Sequence, residues 1–129
     1  MDIGSINPIL LIGSLMVSAT PILLAALGEA VVERSGVLNL GLEGMMIIGA
    51  VVGFAVSINS EVPLLGFLFA AVAAALFSLV FGFLTQILLS NQVATGLGLT
   101  MVGLGLSSLI GKPYEGMKAV TLPSLEIPI

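Results

Sequence analysis

From Val62 to Gly111, fifty consecutive residues carry no charge. As one straight helix this run would be about 75 Å long, more than twice the roughly 30 Å hydrocarbon core of a bilayer. It therefore has to turn, and Ser90-Asn91-Gln92 is the only polar cluster within it. Two antiparallel spans follow, Pro63 to about Leu89 and Val93 to about Gly111. Pro63 suits a first helical turn, where its missing N–H costs nothing. Ser90 or Asn91 can cap the helix that starts near Val93.

The solvent implied by such a run is lipid. Of the 129 residues 58% are hydrophobic and only 8% charged, and mean hydropathy is +1.27. A soluble domain has about a quarter of its residues charged, and the ten charged side chains here cannot coat one of this size. The absence of cysteine rules out disulfides and thiolate metal sites within these residues, and histidine is absent too. A net charge of −4 opposes binding to nucleic acid, whose phosphates need basic patches. Arg34, Lys112 and Lys118 are too scattered to form one.

Two more spans precede Val62. No charge falls between Ile3 and Gly28, which gives a first span from Pro8 or Ile9 to Gly28. Thr20-Pro21 inside it predicts a kink, since Pro21 removes one helical bond while Thr20 bonds back to a carbonyl. Asp2, with no Lys or Arg beside it, has the wrong sign for a cleaved signal peptide. Glu29, Glu33 and Arg34 make Ala30 to Ser35 the wet end of that helix, and Gly36 is a natural stop. The next apolar run, Met45 to Ile58, is short for a span. Adding Val37 to Gly44 lengthens it to about 22 residues but carries Asn39 and Glu43 to membrane depth. That stretch is either a loop before a short helix or the first turns of a broken, polar-tipped one. The fold expected is all-α, a polytopic transmembrane bundle of about four spans whose second helix is discontinuous, with residues 1–129 forming one transmembrane domain.

Small residues recur on three spans: the GxxxG pair Gly49 and Gly53, the stripe Ala70, Ala74, Ser78 and Gly82, and the stripe Gly103, Ser107 and Gly111. Such residues let helix backbones approach closely, which matters in lipid because hydrophobicity no longer drives helices together. Stripes on three spans favour a compact bundle over a lone anchor, although membrane helices are rich in Gly and Ala anyway.

The segment "ERSGVLNLGLEG", residues 33–44, is the polar exception. Val37, Leu38, Leu40 and Leu42 alternate with Asn39, Gly41 and Glu43, so the segment is partly apolar and partly sunk. An ionisable group at membrane depth is expensive and faces the bundle interior or a water-filled cavity. Irregular backbone is tolerated there only where it lines protein or water. Asn39, Gly41, Glu43 and Gly44 are therefore candidates for a translocation pathway, against the plainer reading of an interfacial loop. Asn91, Gln92, Thr95 and Thr100 are possible pore-lining or turn residues. No His or Cys stands ready to pair with a serine, no P-loop pattern occurs, and the series Gly96, Gly98, Gly103, Gly105 lacks the strand–turn–helix context of a dinucleotide site. No catalytic residue and no metal ligand is assigned, and an enzyme is not expected.

Two stretches, "LLAALGEAVVERSGVLNLGLEGMMIIGAVVG" and "NQVATGLGLTMVGLGLSSLIGKPYEG", closely resemble the permease subunits of bacterial ABC importers of the branched-chain amino acid and simple-sugar type, nearest the nucleoside kind. Within them "GVLNLGLEGMMIIGA" corresponds to the family's pattern of Gly, an apolar–Asn/Asp–apolar triplet, a small residue, Glu or Ser, and Gly. The resemblance implies a multi-pass subunit of a bacterial plasma membrane that pairs with a second permease, with cytoplasmic ABC ATPases and with an external solute-binding protein or lipoprotein. It implies that this chain binds no cofactor and that ATP is hydrolysed by the partner subunits. It makes Asn39–Gly44 the break in a discontinuous helix near the route, Asn91–Thr100 the start of a helix after a cytoplasmic turn, and Lys112–Gly116 the start of an external loop. Arg34 on one face and Lys112 and Lys118 on the other give only a one-residue bias, so orientation follows the resemblance. Family members are commonly at least twice as long, so the chain is expected to be the N-terminal portion of a longer permease.

The function expected is part of the translocation pathway for nucleosides or simple sugars. The alternatives are a branched-chain amino acid permease of the same family and, from another class, a small self-oligomerising scaffold or holin-like protein without transport. A scaffold has no use for Asn39 and Glu43 at membrane depth.

Overall fold

A computed structural model describes residues 7–121; Ile3 and Asp2 before the first span, and "LPSLEIPI" at 122–129, lie outside the described residues. Four helices are long and apolar enough to cross a membrane, and no strand occurs among the described residues. They are α1 (Pro8–Arg34), α2 (Leu42–Ser60), α3 (Pro63–Gly82) and α4 (Gln92–Gly111). The all-α, four-span expectation stands. The residues divide into two compact units between Leu38 and Asn39.

The first unit is essentially α1. Asn7 caps it, its side-chain oxygen accepting from the Ile9 N–H at 3.0 Å, and Pro8 occupies the first turn. The helix continues through Pro21 to Arg34, six residues past the expected Gly28 limit and through the wet end. Thr20 Oγ1 donates to the Met16 carbonyl at 2.8 Å, the back-bond its place before Pro21 predicts. No residue of α1 is buried. Gly36 then takes φ +82°, a left-handed conformation that strains any residue with a Cβ, and the Gly36 N–H closes the helix on the Glu33 carbonyl at 2.9 Å.

The second unit is built around α2, which packs on α3 and on α4. Glu61 reverses the chain in a left-handed conformation at φ 56°, and Pro63 enters α3 in its first turn. At its far end α3 widens into a π-helical turn, Phe83–Ile87, in which the buried Thr85 hydroxyl donates to the Phe81 carbonyl at 2.9 Å. The turn at Ser90 is closed twice on the Leu84 carbonyl, by the Ser90 N–H at 3.1 Å and the Ser90 hydroxyl at 2.8 Å. Asn91 then caps α4 by accepting from the Ala94 N–H at 3.1 Å. The span limits near Leu89 and Val93 thus fall within two residues of the observed ends.

Gly49 and Gly53 of α2 lie against Ala70 and Ala74 of α3. A Cβ at Gly53 would stand 2.9 Å from the Ala70 Cβ, and one at Gly66 only 2.6 Å from the Gly53 carbonyl oxygen. Residue number rises along α2 as it falls along α3, so the pair is antiparallel. Ser78 and Gly82 leave this interface: Ser78 is exposed and a Cβ on Gly82 would meet open space. The reason is helical phase. A four-residue step overshoots one turn by about 40°, so at the second and third steps the stripe has rotated away by about 80° and 120°, and the buried Phe81 takes over. Elsewhere the surface is strongly apolar: Ile9, Leu64, Met101 and Leu109 are each more than 70% exposed. Acyl chains, not water, match such an exterior.

Candidate functional site

The polar interruption forms where Asn39, Leu40 and Gly41 meet the first half of α4. Asn39 is only 6% exposed. Its side-chain oxygen accepts from the Gly41 N–H at 3.0 Å, an Asx-type turn that bends the chain just before α2, and its amide nitrogen approaches the Met45 sulfur at 3.7 Å. On the other side Thr100 Oγ1 lies 3.3 Å from the Leu40 carbonyl and 3.1 Å from the Gly96 carbonyl of its own helix. Glycines make this approach possible. A Cβ at Gly96 would stand 2.8 Å from the Gly41 nitrogen, one at Gly44 2.8 Å from the Thr100 Cα, and one at Gly103 2.9 Å from the Gly44 carbonyl oxygen. Backbone therefore rests on backbone from Gly96 to Gly103 of α4. Further along, a Cβ at Gly111 would stand 3.4 Å from the Val51 side-chain Cγ2.

These contacts also measure depth. Residue numbers rise together along α2 and α4, so the two helices run parallel. Gly41 faces Gly96, four residues into α4, and Gly44 faces Thr100, eight residues in. At 1.5 Å per residue Gly41, where the interruption ends, is recessed by about 6 Å from the start of α4, and Gly44, at the head of α2, by about 12 Å. The irregular backbone thus lies inside the span of α4.

The structure moves the break relative to the sequence reading. Residues 35–41 are non-helical, while α2 itself runs without interruption from Leu42. Glu43 and Gly44, expected in the break, are in the first turns of α2, because Gly41 takes the N-cap position and the Met45 N–H already bonds to its carbonyl at 3.1 Å. Gly44 is buried as a packing residue, whereas Glu43 is exposed. Thr95 shares a 2.8 Å hydrogen bond with the Ser90 hydroxyl, and Gln92 is the first residue of α4. Ser107 is half-buried on α4.

Sequence reasoning missed two features. Gly96 falls in the glycine series without a dinucleotide context, although its seven-residue spacing to Gly103 marks one helix face. At the other end of α2 the Asn59 amide donates to the Tyr114 hydroxyl at 2.7 Å, and the Tyr114 ring stands edge-on to Phe54 with centroids 6.5 Å apart. Those partners are 55 and 60 positions apart in the chain, and no local pattern couples them. Beside this cluster an apolar cavity of about 350 Å³ opens between α2 and α3, floored by Gly53 and Gly66. It offers no charged group to a polar solute.

Comparison with known proteins places the sequence. The family of the branched-chain amino acid transport system, permease component, matches residues 11–124. A putative glucose ABC transporter permease of Haloferax volcanii is 40% identical over 119 residues, covering 92% of this chain and 36% of its own length. A guanosine ABC transporter permease of Bacillus subtilis is 39% identical over 122 residues, 90% of this chain and 38% of its own. A nucleoside ABC transporter permease of Lactococcus lactis is 29% identical over 99 residues, 72% of this chain and 31% of its own. The chain thus spans 31–38% of the length of these relatives. No solved structure matches it. The match over most of its length, with four helices fit to cross a membrane, makes this multi-pass membrane chain a member of the permease-component family of branched-chain amino acid-type transport systems.

Proposed function

We propose that this chain forms part of the translocation pathway of an ATP-driven importer for nucleosides or simple sugars, in a bacterial plasma membrane. The observation that carries the reading is the recessed interruption. Irregular backbone and a buried asparagine at membrane depth are tolerated where they line protein or a water-filled route, and Glu43 emerges beside them on the exposed side of α2. In this reading a second permease subunit faces that side, cytoplasmic ABC ATPases hydrolyse the ATP, and an external binding protein or lipoprotein delivers solute. The chain itself binds no cofactor. Relatives that bear the names of guanosine, nucleoside and glucose permeases support the substrate class.

The test is uptake. The complete gene product, co-expressed with its partner subunits in a host lacking nucleoside import, should accumulate labelled guanosine at least tenfold above background. Inactivating the ATPase should abolish this. Accumulation of glucose with no guanosine would move the substrate to simple sugars, and leucine alone would move it to branched-chain amino acids. No uptake of any of the three would overturn the transport reading in favour of a scaffold.

A further inference from the structure

We propose that Thr100 is a positioning residue which, together with Asn39, clamps a single peptide group, the Leu40–Gly41 amide, and so fixes the shape of the interruption. The inference rests on the reading of that segment as part of the route. The Leu40 carbonyl and the Gly41 N–H belong to one peptide plane. Asn39 takes its N–H end at 3.0 Å and Thr100 reaches its carbonyl end at 3.3 Å, from a position 60 residues away in the chain. Each polar end of this irregular peptide is thus satisfied by a side chain, which matters because an unpaired backbone group in hydrocarbon is costly. The plane is seated on Gly96, where even a methyl group would stand 2.8 Å from the Gly41 nitrogen and 2.9 Å from the Leu40 carbonyl carbon.

Thr100 has one hydroxyl proton and two acceptors, Leu40 at 3.3 Å and Gly96 at 3.1 Å. A hydroxyl donates to one acceptor at a time with full strength. Turned to Leu40 it ties the interruption to α4; turned to Gly96 it bonds within α4 and releases the peptide. The clamp can therefore open without leaving the threonine unsatisfied. Thr100 is not a pore-lining contact in this account but the latch that holds the turn against α4.

Hydrogen–deuterium exchange on the complete gene product in lipid nanodiscs tests this independently of transport. Thr100→Val keeps the shape and removes the hydroxyl. It should speed exchange of the segment containing the Gly41 amide about three- to tenfold, as expected for losing one modest hydrogen bond, while residues 45–58 of α2 keep their parent rates. Thr100→Ser should restore the parent rate. Asn39→Ala should produce acceleration of its own, and the double variant less than the product of the two, because both side chains hold one peptide. Unchanged exchange in Thr100→Val, equal acceleration throughout α2, or failure of serine to rescue would each overturn the clamp. Uptake by the same variants reports separately on the route: faster exchange with parental uptake upholds the clamp and removes the segment from the pathway.

Discussion

Gly103→Leu should leave almost no folded protein in the membrane, while Gly98→Leu and Gly105→Leu, on the same helix, should fold as the parent does. The three positions differ in what a side chain would meet. Around Gly98 and Gly105 a Cβ finds nothing within 4 Å, whereas at Gly103 it would stand 2.9 Å from the Gly44 carbonyl oxygen and 3.0 Å from the Gly44 Cα. Those obstacles are backbone, so no rotamer change can clear them. Overpacking a tight site costs typically about 1–3 kcal/mol, and leucine here exceeds that because α2 and α4 must separate along the whole contact. Separation is not repaid in lipid, where packing rather than hydrophobicity holds helices together. Gly44→Leu, set 2.8 Å from the Thr100 Cα, should behave as Gly103→Leu does. The measurement is the monodisperse fraction of detergent-extracted protein by size-exclusion chromatography. A tenfold or greater loss for Gly44 and Gly103, against less than twofold for Gly98 and Gly105, is the expected pattern. Equal yields from all four would mean that the α2–α4 contact is not what holds this unit together.

How far this was legible in the sequence depends on the range of the interaction. Span number, the turn at Ser90 and the cap at Asn91 follow from local chemistry: length against bilayer thickness, and a short polar side chain before a helix. Small residues at four-residue spacing mark Gly49, Gly53, Ala70 and Ala74 as packing candidates, but which stripe meets which is a tertiary fact, and the same rule extended to Ser78 and Gly82 ignores the phase drift of a 3.6-residue helix. Gly96 carries the reverse lesson. Its partner Gly103 is seven residues away, and a search at four-residue spacing passes over it, though both lie against backbone within 3 Å of an added Cβ. Asn39 stands out in the sequence as a polar residue among apolar ones, yet its bond to Gly41 and the approach of Thr100 from α4 leave no local trace, because α2 and α4 being parallel neighbours is a fact of tertiary packing. The start of α2 was blurred for a related reason. Leu42, Glu43 and Gly44 suit a loop as well as a first helical turn, and the cap at Gly41 decides between them.

In the complete transporter Glu43→Leu is expected to cut uptake at least tenfold while leaving insertion and folding intact. Glu43 lies beside Gly44, which is level with Thr100 and so about 12 Å inside the start of α4. It is exposed, so it serves no packing role in α2. An acidic side chain turned to lipid at depth costs about 2.5–3.5 kcal/mol, so its surroundings in the assembled protein are water or another polar surface. Its place in the first turn of α2 adds a favourable interaction with the unpaired N–H groups of the helix N-terminus, worth about 0.3–1 kcal/mol. Leucine loses only that small term and fits lipid better, so a structural role predicts stability near the parent and normal uptake. A role in the route predicts the same stability with uptake lost. Asn39→Leu makes the contrast: buried and bonded to Gly41, it should weaken folding as well as uptake. Glu43→Gln then separates charge from hydrogen bonding, since it keeps size and polarity. Uptake retained by glutamine and lost with leucine would mark a polar wall, and uptake lost with both would mark a required negative charge. Parental uptake with leucine would return Glu43 to the exposed rim of a packing helix.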